Sequence, residues 1–385
     1  MSCLSAKFCV AVGSRASSGG KSVSALTESW DGTSWSLMPN TSSATSDTEL
    51  TGVSCVSVKF CVAVGLAVPL SGGSTTGEHI VAEAWRGTKW SVMPMASSTG
   101  MTMIVDRVSC FAINFCVAVG ETGTSSSGTS SSGTTATSNS LIESWNGKSW
   151  SLTTSPSTGE KFSDLVGVSC PAVDFCAAVG EDGKVSAKKI TLKALTESWD
   201  GQHWSVVANP ADSMLLSALS GVSCTSKAFC VAVGEGIGGL FEAWHGSTWT
   251  TLTSPGKATY SDVSCVPIGS TAPSCSAVGA TGGAVAIGVG GSAGSGSGGA
   301  IGSSTCMIVQ SACPLSAVPP LPVIKTAIAQ SRNGTTWSTV SSPTVAGSDS
   351  LLQGVSCTTG ALCAAVGVTL SKNLKEATSL IEMNG

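Results

Sequence analysis

A pair of cysteines with five residues between them recurs along this chain, and each pair leads into an Ala-Val-Gly ending. A period of this kind constrains the fold more than composition does. The pairs are Cys3/Cys9, Cys55/Cys61, Cys110/Cys116, Cys170/Cys176, Cys224/Cys230 and Cys357/Cys363, with Cys265/Cys275 as a longer-spaced copy. The endings fall at Gly13, Gly65, Gly120, Gly180, Gly234, Gly279 and Gly367. A second half of the unit carries two tryptophans: Trp30/Trp35, Trp85/Trp90, Trp145/Trp150, Trp199/Trp204 and Trp244/Trp249. In the sixth copy Arg332 takes the place of the first Trp ahead of Trp337, and the seventh copy stops at Gly385 before a second Trp.

Each unit reads as four short strands. Strand a is the Val-Ser-Cys run, b is Phe-Cys-x-Ala-Val-Gly, c ends in Glu-x-Trp, and d starts at the second Trp. Asp-Gly, Asn-Gly or a related pair links c to d, a strong hairpin signal. Four antiparallel strands repeated radially make a propeller blade. The expected fold is therefore an all-β, seven-bladed β-propeller in a single domain, 1–385. Its blades span about 1–40, 50–95, 104–154, 164–208, 218–254, 260–341 and 351–385. A Gly/Ser-rich insertion at 282–321 swells the sixth. The seventh lacks strand d and the first lacks the start of strand a, so closure of the ring is expected to be imperfect.

The turns Ser29-Trp30-Asp31-Gly32-Thr33-Ser34-Trp35 and Ser331-Arg332-Asn333-Gly334-Thr335-Thr336-Trp337 are similar to the Asp-box turn of sialidase-type propellers. The blade order resembles kelch repeats, with Val-Gly where that family has Gly-Gly. The whole pattern resembles bacterial secreted proteins built from Ser-Cys-x5-Cys-x-Ala-Val-Gly units. The resemblance implies a fold; propellers host many functions.

The sixteen cysteines read as a disulfide framework in an oxidising compartment. Each pair would join a to b within a blade, and Cys306/Cys313 would staple the insertion. The C-x5-C spacing lacks accompanying His, so no metal site is expected. The tryptophans read as packing between neighbouring sheets. The strand-c acids Glu28, Glu83, Glu143, Glu197, Glu242 and Glu382, with Gln330 in the sixth copy, read as acceptors of backbone N–H groups or as partners of an Arg or Lys between blades, rather than catalytic acids.

Charged residues make up 11 % of the chain and its net charge is -4. With no basic stripe along the sequence, nucleic acid is not an expected partner, and no polybasic membrane anchor is visible. The apolar stretch near Ala280 to Ile301 is broken by Gly and Ser, so it does not read as a membrane span. Ser2-Cys3 already lies inside the first repeat, and the expectation is a secreted or cell-surface protein whose natural start lies further upstream.

Alternating strand direction puts a–b and c–d turns on one face and b–c and d–a loops on the other. The first set is short and repetitive. The second varies, from Glu235–Gly239 in the fifth blade to the Ser/Thr-rich Glu121–Ser140 in the third, which reads as disordered or glycosylated. Function usually rides on variable loops held by a rigid scaffold. The candidate ligand-binding residues on that face are Glu78, His79, Asp106, Arg107, Tyr260 and Asp262, with Glu160 and Lys161 beside them. Arg107 and Asp262 stand where most units have Gly before Val-Ser-Cys.

The leading functional reading is a non-catalytic extracellular propeller that binds a glycan, a protein or a cell-surface ligand, without a cofactor. An alternative is a carbohydrate-active hydrolase or lyase using acids such as Asp106 and Asp262. Sialidase chemistry would need an Arg cluster and a Tyr nucleophile; Arg86 and Arg332 lie on the wrong face and Tyr260 is the one Tyr. A second alternative is a subunit of an extracellular assembly. A cluster of charged residues at the mouth of the b–c/d–a face would favour catalysis, and a shallow Ser/Thr/Gly-lined face would favour binding.

Overall fold

The computed structural model describes residues 1–17, 22–39, 41, 46–70, 79–96, 101–123, 138–156, 158–186, 189–214, 216–236, 238–268, 271–281, 326–333, 336–340, 348–358, 362–371 and 377–384. The first sheet holds β1 (Ser2–Ser5), β2 (Phe8–Ala16), β3 (Val23–Trp30) and β4 (Trp35–Leu37). The second holds β5 (Ser46–Ser57), β6 (Phe60–Pro69), β7 (His79–Trp85) and β8 (Trp90–Met93). The third holds β9 (Thr102–Ala112), β10 (Phe115–Gly123), β11 (Ser138–Trp145) and β12 (Trp150–Thr153). The fourth holds β13 (Phe162–Ala172), β14 (Phe175–Ser186), β15 (Lys189–Trp199) and β16 (Trp204–Val206). The fifth holds β17 (Ala218–Ser226), β18 (Phe229–Glu235), β19 (Leu240–Trp244) and β20 (Trp249–Thr251). The sixth holds β21 (Ala258–Ile268), β22 (Thr271–Thr281), β23 (Thr326–Asn333) and β24 (Thr336–Val340). The last holds β25 (Ser348–Cys357), β26 (Cys363–Ser371) and β27 (Ala377–Asn384).

Strands are neighbours in chain order within every sheet, and all pairings are antiparallel. The first strand of each sheet packs on the first strand of the next, and β25 packs on β1. This is a β-propeller. Among the described residues six sheets have four strands and one has three. There are thus six complete blades where the repeat count predicts seven, and the seventh repeat supplies the three-stranded sheet.

Sheets are tied to one another by one repeated hydrogen bond. The Ser of each Val-Ser-Cys accepts from the backbone N–H of the equivalent Cys in the next sheet. The bonds are Cys55 N to Ser2 Oγ, Cys110 to Ser54, Cys170 to Ser109, Cys224 to Ser169, Cys265 to Ser223 and Cys357 to Ser264, at 2.9 to 3.1 Å. Cys3 N to Ser356 Oγ, at 2.9 Å, closes the circle. The last sheet nevertheless lacks a fourth strand among the described residues, as the sequence leads one to expect.

Seven disulfides join strand a to strand b, one in each sheet, with Cα atoms 3.9 to 4.1 Å apart. They are Cys3–Cys9, Cys55–Cys61, Cys110–Cys116, Cys170–Cys176, Cys224–Cys230, Cys265–Cys275 and Cys357–Cys363. The a–b pairing is as the sequence predicts, and the strand-b cysteines are buried as well. Cys9, Cys61, Cys116, Cys176 and Cys230 are 0 % exposed and Cys275 is 1 % exposed. Strand b lies inside its sheet, with a on one side and c on the other, and neighbouring sheets cover its faces. Cys61 therefore packs with Val53 and Trp90, Cys116 with Val62 and Trp150, Cys230 with Leu219 and Trp249, and Cys275 with Val231 and Val263. These cysteines are core residues as well as crosslinks, and they present nothing to a ligand. Cys306 and Cys313 lie outside the described residues.

Strand a is longer than its Val-Ser-Cys core. In the second blade it starts at Ser46, and Asp47 and Thr48 pair with Val68 and Ala67 beyond Gly65. A β-bulge sits between the two halves, at Thr51, and recurs at Asp106, Val166, Ser220, Ser261 and Gln353. The bulge explains the terminal Gly of Ala-Val-Gly. A Cβ on Gly180 would lie 1.9 Å from the Asp164 carbonyl oxygen, so no side chain fits opposite the bulge.

The core lies between adjacent sheets. Val10, Ala25 and Met38 of the first blade pack with Leu50, Val53, Ala63 and Trp90 of the second. Trp145 and Trp150 pack with Phe60, Val62 and Ala84 across the next seam. The first Trp of each pair also pins the a–b turn through its indole N–H. Trp30 donates to Ala6 O, Trp85 to Val58 O, Trp145 to Ile113 O, Trp199 to Val173 O and Trp244 to Lys227 O, at 2.9 to 3.2 Å.

Candidate ligand-binding face

The variable face is built where strands b end and strands a and c begin. In blade four β14 and β15 stay paired out to Ser186 and Lys189, well past the repeat core. Beside that hairpin Glu160 accepts ion pairs from Lys184 at 3.2 Å and Lys193 at 3.6 Å. Lys161 is exposed, and its carbonyl accepts from Ser138 N at 3.2 Å, joining blades three and four. His79 opens β7 and is exposed. Glu78 lies outside the described residues. The supposed loop Glu121–Ser140 is shorter than expected, because Glu121–Gly123 and Ser138–Ser140 are paired strand; residues 124–137 lie outside the described ones.

Arg107 and Asp262 come together at the axis rather than on a loop. At the neighbouring positions the a strands nearly touch. A Cβ on Gly221 would lie 2.8 Å from Asp262 Cα, and one on Gly52 would lie 3.0 Å from Arg107 Cα. Arg107 donates from Nη1 to Thr51 O at 2.9 Å and from Nη2 to Gln353 O at 3.3 Å. It thereby bridges blade two and the three-stranded sheet from blade three. Asp262 accepts from Val355 N at 3.0 Å and from its neighbour Val263 N at 2.9 Å. Both half-buried side chains spend their hydrogen-bonding capacity on backbone groups exposed by the bulges.

Two candidate residues are displaced from the surface. Tyr260 is 1 % exposed and meets Phe241 edge-on with ring centroids 4.5 Å apart, as part of the seam between blades five and six. Burial pushes its phenol up to about 12. Its place in strand a, just before the bulge, is a core position, so it contacts neighbouring sheets instead of a ligand. Asp106 is the bulged residue itself and is buried.

Asp106 belongs to a group of acids that the repeat pattern does not single out. Glu121 follows the terminal Gly of strand b in blade three, Glu181 does so in blade four, and Asp164 precedes the bulge in blade four. All are buried. Burial raises the Asp106 carboxyl to about 6, against the pull of Arg107. Burial and then the Asp106 charge raise Glu121 to about 7, against the Ser138 hydroxyl. Asp164 is pushed well above its ordinary value by burial, then by Asp106, Glu121 and Glu181. Glu181 rises by burial, then by Glu235, Glu121 and Asp182. Among the described residues Glu121 Oε2, Asp164 Oδ1 and Glu181 Oε2 have no hydrogen-bond partner. The legible signal is Val-Gly-Glu, which occurs in three successive blades at Glu121, Glu181 and Glu235. The charged cluster at the mouth is therefore present but is buried, and no group of three acids among the described residues has metal-binding geometry.

Four of the strand-c acids serve as struts between blades. Glu83 accepts from Thr41 Oγ1, Glu143 from Ala96 N at 3.1 Å, Glu197 from Ser155 Oγ at 2.9 Å and Glu242 from Ala211 N at 3.1 Å. Each donor belongs to the d–a loop of the preceding blade. The struts set where those loops leave the scaffold.

With this scaffold and face, the protein falls in the β-propeller class. No family model matches the chain, and no curated protein matches it. Among solved structures it is similar to YCF48 bound to a D1 peptide, at 9 % identity and a TM-score of 0.43 over 89 % of this chain and 87 % of that one. YCF48 from Cyanidioschyzon merolae is similar at 12 % identity and a TM-score of 0.45, over 93 % and 91 %. A six-bladed fucose-binding lectin from Aleuria aurantia is similar at 10 % identity and a TM-score of 0.39, over 72 % and 89 %.

Proposed function

We propose that this protein is a non-catalytic binding propeller that recognises a glycan or protein ligand through its b–c/d–a face. One observation carries the reading. Variation in loop length is concentrated on that face, while most of the opposite turns keep one length and are pinned by the Trp indoles. The contact residues on this reading are Glu78, His79, Glu160 and Lys161, with Arg107 and Asp262 at the axis. The reading of the three-stranded sheet as a seventh blade is supported by the Ser–Cys hydrogen bonds that run through it. Disulfides in every blade support an oxidising compartment, secreted or at a cell surface. No helix among the described residues is long and apolar enough to cross a membrane.

The test is a glycan and protein array on the oxidised protein, scored for binding and for cleavage products. Binding without product, weakened by Lys161→Ala or His79→Ala, supports the reading. Cleavage would move the protein to the carbohydrate-active alternative, for which the Asp106, Glu121, Asp164 and Glu181 group would be responsible. No binding by any glycan or protein would remove the face from consideration.

A further inference from the structure

The opposite face carries a feature that no single stretch of sequence displays. The a–b and c–d turns emerge together there. A Cβ on Gly87 would lie 3.4 Å from Lys59 Cγ, and one on Gly147 would lie 2.9 Å from Asn114 Cβ. Each c–d turn therefore rests on the a–b turn of its own blade. In blades two and three this shelf is both apolar and basic. Val58, Phe111 and Ile113 are 53 %, 46 % and 63 % exposed. Lys59, Arg86, Lys89 and Lys148 are exposed beside them. No Asp or Glu occurs in the four turns of these two blades.

The arrangement departs from the rest of the molecule. The chain as a whole has a net charge of -4. In blade four the turns carry Asp174 and Asp200, with Lys227 of blade five paired to Asp174. In blade one Asp31 stands in the c–d turn, where it accepts from Thr33 N and Ser34 N. Among the described turns, exposed cations without acidic neighbours are thus concentrated in one sector of the ring.

We propose that this sector docks on an anionic lipid bilayer, with Val58, Phe111 and Ile113 entering the headgroup region and Lys59, Arg86, Lys89 and Lys148 meeting the lipid phosphates. Charge complementarity and shape select this occupant. The apolar groups stand exposed on the a–b hairpins of two adjacent blades, so they suit an extended fluid surface better than a peptide. The turn backbones are held before contact, because Trp85 and Trp145 fix the carbonyls of Val58 and Ile113 at 3.2 and 3.1 Å. Docking would then order little chain. Exposed apolar groups ringed by Lys and Arg are the surface chemistry of interfacial binding. The bilayer would lie on the far side of the ring from the variable loops, which it would leave free.

The test is co-sedimentation of the full chain with vesicles of phosphatidylcholine alone and of phosphatidylcholine with phosphatidylglycerol. Binding is expected to the second kind, weakening as salt rises. Lys59→Glu with Lys89→Glu should lower the affinity by at least about tenfold. Phe111→Ser with Ile113→Ser should lower it at unchanged charge. Arg15→Glu with Lys257→Glu, the same charge change away from these turns, should leave it intact. Absence of binding to phosphatidylglycerol vesicles, or binding indifferent to the Lys59/Lys89 pair, would overturn the proposal. So would equal binding to soluble polyglutamate that ignores the Phe111/Ile113 pair, since that result assigns the patch to a polyanion. A thermal unfolding scan of each variant separates lost docking from lost folding.

Discussion

Ser109 shows how much one small side chain does in this repeat. Its hydroxyl accepts the Cys170 N–H at 3.0 Å, one of seven such links in the circle. Removing one acceptor leaves a backbone donor without its partner, which costs about 1 to 3 kcal/mol. Ser109→Ala is expected to lower the unfolding free energy by that amount in a urea titration, with an unchanged slope. A larger effect is expected at Gly180, where the Asp164 carbonyl leaves no room for a Cβ. Gly180→Ala should be among the severe substitutions, at about 4 kcal/mol or more, visible as lost soluble expression or a collapsed melting transition. Arg107 is the opposite case, a long side chain recruited to the axis because its donors reach carbonyls in two other blades. Arg107→Ala should destabilise by about 1.5 to 3 kcal/mol, measured in the same titration.

At the level of strands, the disulfide and the buried acids give separate predictions. Each a–b bridge closes a short loop, and the chain-entropy model assigns such a loop roughly 2 kcal/mol. The double substitution of Cys170 and Cys176 by Ala should cost at least about that much, since Cys176 also fills core space. The remaining bridges should stay intact by mass spectrometry under alkylation. The acids act through protons. Asp106 sits at about 6, and Glu49, Glu121, Glu143 and Glu197 at about 7, in each case mainly because burial disfavours the charged form. A carboxyl whose folded value lies above its unfolded one favours the folded chain while protonated. That contribution is complete below the unfolded values near 4 and is lost as pH rises through 6 to 7. Thermal stability should therefore fall between about pH 4 and pH 7, against the usual acid-labile pattern. Glu121→Gln with Asp164→Asn should flatten this dependence, because amides mimic the protonated forms. A midpoint that rises over the same interval would contradict the assignment.

At the scale of the molecule, the ring divides labour between its faces. Cohesion comes from side chains that repeat: the Ser acceptors, the Trp pairs and the strand-c Glu struts. On the proposed function, specificity is left to what does not repeat, namely the b–c and d–a loops and one basic-apolar sector of turns. A shotgun of alanine substitutions should reflect this division. Loop positions such as His79 and Lys161 should affect ligand binding with less than about 0.5 kcal/mol change in stability, whereas seam positions such as Phe241 should do the reverse, checked by pairing array binding with a melting scan of each variant.

The repeat alone made the propeller, the strand order, the a–b disulfides and the non-catalytic, acceptor character of the strand-c acids legible. Each of those is a local rule read many times, so chance agreement is small. The seam role of the Trp pairs was legible for the same reason: a residue present in nearly every blade must serve the blades. What depends on where blades meet was not legible. The cysteine spacing announced a crosslink, but not that Cys9, Cys61, Cys116, Cys230 and Cys275 would be sealed inside the core, because neighbouring sheets do the covering. Tyr260 looked like a surface candidate because it is unique, yet strand a turns it into the seam. Asp106, Glu121, Asp164 and Glu181 are far apart in sequence and meet only because strands a and b of adjacent blades converge near the axis. Arg107 and Asp262 were recognisable as departures from Gly, but not as bridges, since their partners Thr51, Gln353 and Val355 belong to other blades. The basic shelf was invisible for the same physical reason: Lys59, Lys89 and Lys148 are isolated in the chain, and only closure of the ring sums their charge on one side.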